Sequence, residues 1–473
     1  VDEGPVRVRL AKREAESFEI VATIRQEAAV TVKVVASPLT GPGDSKMILQ
    51  MASVHPVRTV PILTRVGFPL PMDWPDPLSH DEGSTVTGPC HVPFWVTVQV
   101  PAGTAAGIYR GHLTVMITGE MTVAVNVPLE VEALDFELPL RPSFRTNQQL
   151  WGVKKGETRP WIEELAARKM YDASWWYSDE EERRWRMDEL GQNAIKINMV
   201  GGHGHTPVKL DGHEIYSDEY EEVFNTRLAQ QLQSVKDNGW ERDAFIYIWD
   251  ENWGLAEVFD HVKYLAGLIR EQITDVPMLA ALTVDEKIEG VVNIYLAEYS
   301  PDEVIRRRQA EGDEFWRWGN VDLQLGKAPV AVRLCYGFES VKRGFTDAYS
   351  WGVSAWRDSD PWVAPDRANW GGSFFYPGAH EGSTPDRPVP SIRMELLRDG
   401  IEDFEYVAIL RALIEDREEV VPGAAAKARV VIAETEGLAD IPADFRRCDQ
   451  GVDEIIAARR RIQDAIIELQ KLD

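Results

Sequence analysis

The chain has 473 residues, 77 acidic against 51 basic, for a formal net charge of −26; that length allows two or three domains around a large core, and the acid excess argues against nucleic-acid or anionic-membrane partners, which need clustered Lys and Arg. Cys90, Cys335 and Cys448 are too scattered for a disulfide framework or a zinc knuckle, and no apolar run is long enough to cross a bilayer. The first residue is Val1 and no charged-then-apolar leader follows, which leaves cytoplasmic and secreted-after-cleavage placements both open.

Residues 1–140 alternate apolar and polar positions in short runs, as in Val6-Arg7-Val8-Arg9-Leu10, Phe18-Glu19-Ile20, Val30-Thr31-Val32-Lys33-Val34 and Phe94-Trp95-Val96-Thr97-Val98-Gln99-Val100. The clearest hairpin sets residues 112–117 against 121–127 across Thr118-Gly119-Glu120. The expectation is an antiparallel β-sandwich without catalytic residues.

Pro139 and Pro142 punctuate the next stretch, after which strand patterns alternate with helical ones. Strands are expected at residues 143–150, 194–200, 245–250, 277–283, 291–296, 315–318, near 348–351 and at 373–376, with helices at 179–190, 223–238 and 255–273 between them. Eight such units over residues 141–415 suit a (β/α)8 barrel. Residues 416–473 read as a helical extension. Its last helix gathers Val452, Ile455, Ile456, Ile462, Ile466 and Leu469 on one face, which is expected to pack on the barrel, a dimer contact being the alternative. Monomer and homodimer both remain open.

The third strand carries the chemistry. Phe245-Ile246-Tyr247-Ile248-Trp249 is an apolar run of the kind covered on both faces of a parallel sheet, and it stops on the acids Asp250 and Glu251 before Asn252-Trp253-Gly254. Barrel enzymes carry their reacting groups at strand ends, although paired acids also open many helices by facing the positive end of the dipole. Trp249 and Trp253 beside the acids favour a sugar site, because indoles stack on the apolar faces of sugar rings. After Trp95 the next tryptophan is Trp151, and the rest crowd up to Trp370, suggesting an aromatic cavity in the second domain.

Candidate substrate-binding residues are Asn198 and His203 around the end of the second strand, Trp249, Trp253, Tyr295 and Glu298, and the later aromatics Trp318, Trp351, Trp356, Trp370 and Tyr376. His203-Gly204-His205 with His213 beyond lacks rigid ligand spacing and a fourth ligand, so no metal is expected, nor any other cofactor. Asp285-Glu286 reads as a solvated loop pair. Arg398, Asp399, Glu402 and Asp403 read as a polar helix face tying the last barrel helix in place.

Asp360-Pro361-Trp362, the string Asn369-Trp370-Gly371-Gly372-Ser373-Phe374-Phe375-Tyr376-Pro377-Gly378, and the segment from Val389-Pro390-Ser391-Ile392-Arg393-Met394-Glu395 through Asp403-Phe404-Glu405-Tyr406 are similar to the C-terminal part of the glycoside hydrolase family 123 catalytic domain. The resemblance reaches back through Asp250-Glu251 to the leading β-sandwich. Asn252 and Trp253 stand where that family has proline after the acids, and Asn293 stands where an aspartate is expected in relatives. The resemblance implies a retaining β-N-acetylgalactosaminidase-like enzyme working by substrate assistance on a terminal sugar, with Glu251 as general acid and base and Asp250 orienting the acetamido group. The alternatives are a glycosidase of other sugar preference with a protein nucleophile among Asp285, Glu286 and Glu298, and a carbohydrate-binding protein without turnover. The retained acid pair argues against the last.

Overall fold

A computed structural model of the chain describes residues 4–42, 51–62, 72–153, 156–174, 179–251, 256–282, 284–297, 300–318, 324–326, 328–356, 359–365, 372–378, 387–440 and 451–472. The N-terminal third forms nine strands: β1 (Val6–Lys12), β2 (Glu14–Ile24), β3 (Ala29–Ala36), β4 (Ala52–Ile62), β5 (Met72–Leu78), β6 (Ser84–Thr87), β7 (Cys90–Val100), β8 (Gly107–Thr118) and β9 (Thr122–Glu137). They make two sheets, ordered β1-β9-β8-β3-β6 and β2-β7-β4-β5. Alternation fixes which face of each is apolar, and the two faces share their cores: Ala22, Ile24 and Phe94 of one sheet pack with Val32, Val34 and Leu113 of the other. The expected hairpin is present, with Thr118 opposite Thr122 and Val115 opposite Val125.

The second part contains β10 (Arg145–Gln148), β11 (Ile195–Asn198), the short hairpin β12 (Gly202–His203) and β13 (Thr206–Pro207), then β14 (Ala244–Asp250), β15 (Met278–Ala281), β16 (Ile294–Leu296), β17 (Glu314–Trp318) and β18 (Asp347–Ser350). The parallel strands form a curled sheet that runs from β11 through β14, β15, β16, β17 and β18 to β10. Between its two ends lie residues 171–174. Gln148 N–H donates to the Tyr171 carbonyl at 2.7 Å, Lys196 N–H donates to that of Ala173 at 2.9 Å, and Ser174 bridges Lys196 in parallel. This link was not expected from the sequence. In turn, the strand expected at residues 373–376 is absent from the sheet: Phe374 and Phe375 donate their N–H groups to the Val353 carbonyl, and Tyr376 forms only an antiparallel bridge to Val389. Both phenylalanines are fully buried, so their apolar pattern records packing rather than pairing.

The helices are α1 (Arg159–Ala166), α2 (Glu180–Arg184), α3 (Asp218–Asp237), α4 (Glu257–Gln272), α5 (Asp302–Ala310), α6 (Pro329–Tyr336), α7 (Phe338–Arg343), α8 (Ile392–Arg417), α9 (Pro422–Glu436) and α10 (Val452–Lys471). Local chemistry sets several starts: Asp179, Ser217 and Ser391 each accept a backbone N–H from the first turn that follows. The α3 and α4 faces cover the outer side of the curled sheet, where Phe224, Leu228, Val262 and Leu265 meet Ile195, Ile197, Ile246 and Ile248.

Helix α8 joins the two parts of the molecule and is charged where it is buried. The Arg393 guanidinium grips Asp76 of β5 at 2.9 and 3.1 Å, Tyr376 Oη donates to the same carboxylate at 2.6 Å, and Glu402 accepts the Ala15 N–H at 3.1 Å. Arg398 donates to Ser17 Oγ at 2.9 Å, and Arg333 of α6 binds both Asp403 and Glu16. The polar face of α8 therefore reaches across to the N-terminal strands as well as holding the helix to its neighbours. A Cβ at Gly400 would lie 2.3 Å from the Arg333 carbonyl, so glycine is what lets α6 and α8 approach. The apolar face of α10 packs against α8, α9 and strand ends of the N-terminal sheets, through Ile455, Ile462 and Ile466 beside Leu134, Phe136 and Tyr406.

Candidate active site

Strand β14 is buried on both sides, and its direction changes once. Phe245 and Tyr247 point to the inside of the curled sheet with Leu279, Ile294, Trp316 and Tyr349, while Ile246 and Ile248 point outward to the helices. Strict alternation would send Trp249 in and Asp250 out. Instead the pairing with β15 slips: Tyr247 lies opposite Leu279 but Trp249 lies opposite Ala280, so Ile248 is an extra residue. The bulge puts Trp249 outward beside Ile248 and turns Asp250 inward, a re-aiming for which bulges are suited.

Both oxygens of Asp250 are held. Tyr247 Oη donates to Oδ1 at 2.7 Å, and His203 Nδ1 lies 3.0 Å from Oδ2. Tyr247 stays a hydroxyl donor, because burial, with Tyr349 and Asp250 nearby, pushes its ionisation well above the usual tyrosine range. The His203 strand pairs directly with Asp250, and Gly204 N–H donates to the Asp250 carbonyl at 2.9 Å. A Cβ at Gly202 would meet the Trp249 ring at 2.2 Å, which explains the glycine in this hairpin. Next in the chain, Glu251 has φ of +58°, a left-handed conformation that costs a non-glycine residue about 1 kcal/mol or more. Its N–H donates to the Ala281 carbonyl at 3.1 Å, so the adjacent strand holds the turn. Two neighbouring acids thus leave the strand end by different routes, one inward-facing and fixed, the other on a strained turn.

The other expected residues divide. Asn198 ends β11, and its Oδ1 is buried without a hydrogen-bond partner among the described residues. Trp318 stacks on Tyr349 at 5.7 Å and lines the inner cluster, against which Trp351 packs. Three assignments fail on direction. Trp249 is fully buried on the helix side, stacked on His261 at 5.3 Å with Nε1 donating to the Gly204 carbonyl, and cannot meet a sugar. Tyr295 also points outward, stacked on Phe315, and donates to the Ile288 carbonyl. Tyr376 turns toward the N-terminal strands, buried with Val60 and Ile62 and with its hydroxyl on Asp76. Trp356 serves packing: its ring lies against Trp161 and its Nε1 donates to the Phe375 carbonyl. Trp253, Glu298 and Trp370 lie outside the described residues. Asp285 caps a turn through the Lys287 N–H, and no cluster of His, Cys, Asp and Glu suited to a metal occurs among the described residues.

Sequence reasoning missed three groups. Trp151, at the loop after β10, is half exposed and sits edge-on to Trp351 at 6.0 Å. Gln149 donates to Tyr349 Oη. Lys196 and Asp172 are charged residues buried at the sheet interior, and burial pushes the Lys196 ammonium down to about 8 while Asp172 and Asp250 oppose the shift. The available signal was a lysine in the middle of an otherwise apolar strand, Ala194-Ile195-Lys196-Ile197.

A model of the glycoside hydrolase 123 catalytic domain matches residues 171–410. Among solved structures, a family 123 glycoside hydrolase from Clostridium perfringens, described in terms of glycolipid glycan hydrolysis, is similar over all of this chain and 95% of its own, with TM-score 0.69 and 12% identity. A family 39 glycoside hydrolase from the gut symbiont Bacteroides cellulosilyticus WH2 matches 83% of this chain and 82% of its own at TM-score 0.37 and 9% identity. No curated protein matches. No helix among the described residues is long and apolar enough to cross a membrane. The matched catalytic domain takes in the acid pair and most of α8, and the chain belongs to the glycoside hydrolase 123 family.

Proposed function

We propose that this glycoside hydrolase is a retaining enzyme that removes terminal β-linked N-acetylhexosamine, N-acetylgalactosamine by preference, by substrate-assisted catalysis. The scaffold is read as a β-sandwich (residues 1–140), a (β/α)8-type barrel (141–415) with residues 171–174 in the position of its second strand, and a helical extension (416–473). The observation that carries the reading is the inward turn of Asp250, with both carboxylate oxygens already engaged by Tyr247 and His203. A carboxylate fixed in this way is suited to accept a hydrogen bond and stabilise positive charge, whereas an attacking nucleophile needs a free oxygen.

The acetamido oxygen of the substrate attacks the anomeric carbon as the glycosidic C–O bond breaks, and Glu251 gives its proton to the leaving oxygen. Asp250 accepts the acetamido N–H and stabilises the oxazolinium that results. Water then attacks the anomeric carbon, Glu251 takes its proton, and the acetamide re-forms, so configuration is retained. Trp351 with Trp151 offers a stacking wall for a sugar ring. The Clostridium perfringens relative suggests glycolipid glycans as one source of such termini.

The test compares an aryl β-N-acetylgalactosaminide with the matching β-galactoside, each with and without a thiazoline that mimics the oxazoline. Hydrolysis of the N-acetyl sugar alone, blocked by the thiazoline, is expected. Cleavage of the plain galactoside would refute substrate assistance and require a protein nucleophile.

A further inference from the structure

Trp249 faces away from the inside of the sheet, yet it touches the residues on either side of His203. Its indole Nε1 donates to the Gly204 carbonyl at 3.2 Å, and its ring lies so close to Gly202 that a Cβ there would meet it at 2.2 Å. The same ring is stacked on His261 of α4, with centroids 5.3 Å apart and planes 18° from parallel, and His261 Nδ1 lies 2.6 Å from Tyr216 Oη. Trp249 is therefore held from the helix side and fully buried, while the His203 side chain that it flanks is 54% exposed. The hairpin that carries His203 is too short to keep its shape by pairing alone, since β12 and β13 have two residues each. Backbone bonds tie it down at Gly201 N–H to the Ile248 carbonyl, 2.8 Å, and at Gly204 N–H to the Asp250 carbonyl, 2.9 Å. Trp249 adds a rigid side-chain contact at the two positions that bracket the histidine.

We propose that Trp249 is a positioning residue of the active site: by holding Gly202 and Gly204 from the outer side of the sheet, it fixes His203 where Nδ1 meets Asp250 Oδ2, and so keeps that carboxylate in its working orientation. The proposal rests on the role given to Asp250 above. The bulge at Ile248 serves both ends of this arrangement, sending Trp249 outward against the hairpin and Asp250 inward to the histidine 3.0 Å away. The indole acts through His203 and not on the substrate. A glycine on each side of the histidine fits the same account: at Gly202 a side chain would displace the indole, and Gly204 turns the hairpin with φ of +58°.

The first measurement is a double-mutant cycle on kcat, with whichever aryl glycoside the protein hydrolyses. Trp249→Phe keeps an aromatic ring beside His261 and removes the Nε1 donor. It should lower kcat about fivefold with KM nearly unchanged, the size expected for weakening one hydrogen bond to a charged group. In a His203→Ala background the same substitution should change kcat less than about twofold, because the group it positions is gone. Equal falls in both backgrounds would overturn the proposal, since a purely structural role for the indole predicts that pattern. Gly202→Ala, which pushes the hairpin off the ring from the other partner, should repeat the result and keeps the test open if Trp249→Phe fails to fold. The second measurement does not use turnover. Hydrogen exchange read by mass spectrometry should show residues 202–208 opening about tenfold faster in Trp249→Phe, with β15 unchanged; an unaltered rate over 202–208, or equal acceleration in β15, would overturn the hold on the hairpin. Failure of the wild type to cleave any N-acetylhexosaminide would remove the function proposed above, and the exchange rates would still decide whether Trp249 fixes the segment that carries His203.

Discussion

Replacing Tyr247 by Phe removes one hydroxyl and leaves the ring. That ring packs among Phe245, Leu279, Trp318 and Tyr349, so the core keeps its volume. What is lost is the 2.7 Å hydrogen bond to Asp250 Oδ1, leaving His203, among the described residues, to orient the carboxylate. A hydrogen bond to a charged group is worth about 1.5–3 kcal/mol. The Asp250 side chain is 35% exposed, so water can replace part of the interaction and the lower end applies. A loss of about 1.4 kcal/mol from the transition state is tenfold in rate. The expected result is kcat reduced about tenfold with KM nearly unchanged, because orientation matters most as the oxazolinium charge develops. In an Asp250→Asn background the same substitution should add little, since the two act as one unit. An unchanged kcat in Tyr247→Phe would refute the reasoning, and so would two effects that simply multiply.

Glu251→Gln should slow hydrolysis of an unactivated substrate about a hundredfold or more while sparing a substrate with a good leaving group; equal losses on both would remove Glu251 as the acid. Arg393→Met should cost about 3–5 kcal/mol by leaving Asp76 buried and unpaired, and adding Asp76→Leu should recover part of it. Chemical denaturation of the three variants measures this, with a harmless single substitution as the contrary result. Glu395 gives a pH dependence. Burial would raise it, but Arg398 and Arg168 pull the carboxyl down to about 2 from 4.5. Its stabilisation is therefore complete above about pH 4.5 and lost as pH falls toward 2, of order 3 kcal/mol in all. Melting curves at pH 5 and pH 3 should show a smaller acid drop in Glu395→Gln than in wild type, and equal drops would count against it.

The strand that ends at Asp250 was legible because five apolar residues in succession leave few alternatives to a strand covered on both faces. Its bulge was not legible. Whether Trp249 or Asp250 faces inward depends on the register with β15, a relation between distant segments that the local pattern does not contain. The same holds for Tyr295, whose aromatic character fits either side of the sheet. Strands β4 and β5 escaped notice because Pro56, Pro61, Pro75 and Pro77 interrupt them. Edge position explains part of this tolerance, since β5 ends its sheet and β4 pairs with β7 only over Ala52–Pro56 before turning to β5. Residues 171–174 were missed for a different reason. Tyr171-Asp172-Ala173-Ser174 is too short and polar to signal a strand, and Asp172 is there to face Lys196 and Arg186. The acid pair itself was found from position and residue type, and His203 was a candidate as a substrate contact, while its place on Asp250 and the support from Tyr247 required the fold.

The charged surface of α8 bears on where this protein can be cut. A piece starting near residue 141 would keep Arg333, Arg393 and Arg398 but lose Glu16, Asp76 and Ser17, the groups they meet from the N-terminal strands. Guanidinium groups made to sit under protein cover would then open onto solvent beside exposed Leu and Ile side chains, a surface prone to self-association. The proline-marked boundary near residue 140 is thus a change of pattern along the chain and not a seam in its stability. The N-terminal sheets serve the enzyme as a permanent half of its folding unit, and shortening the gene to the matched catalytic domain should yield an insoluble product rather than a smaller hydrolase.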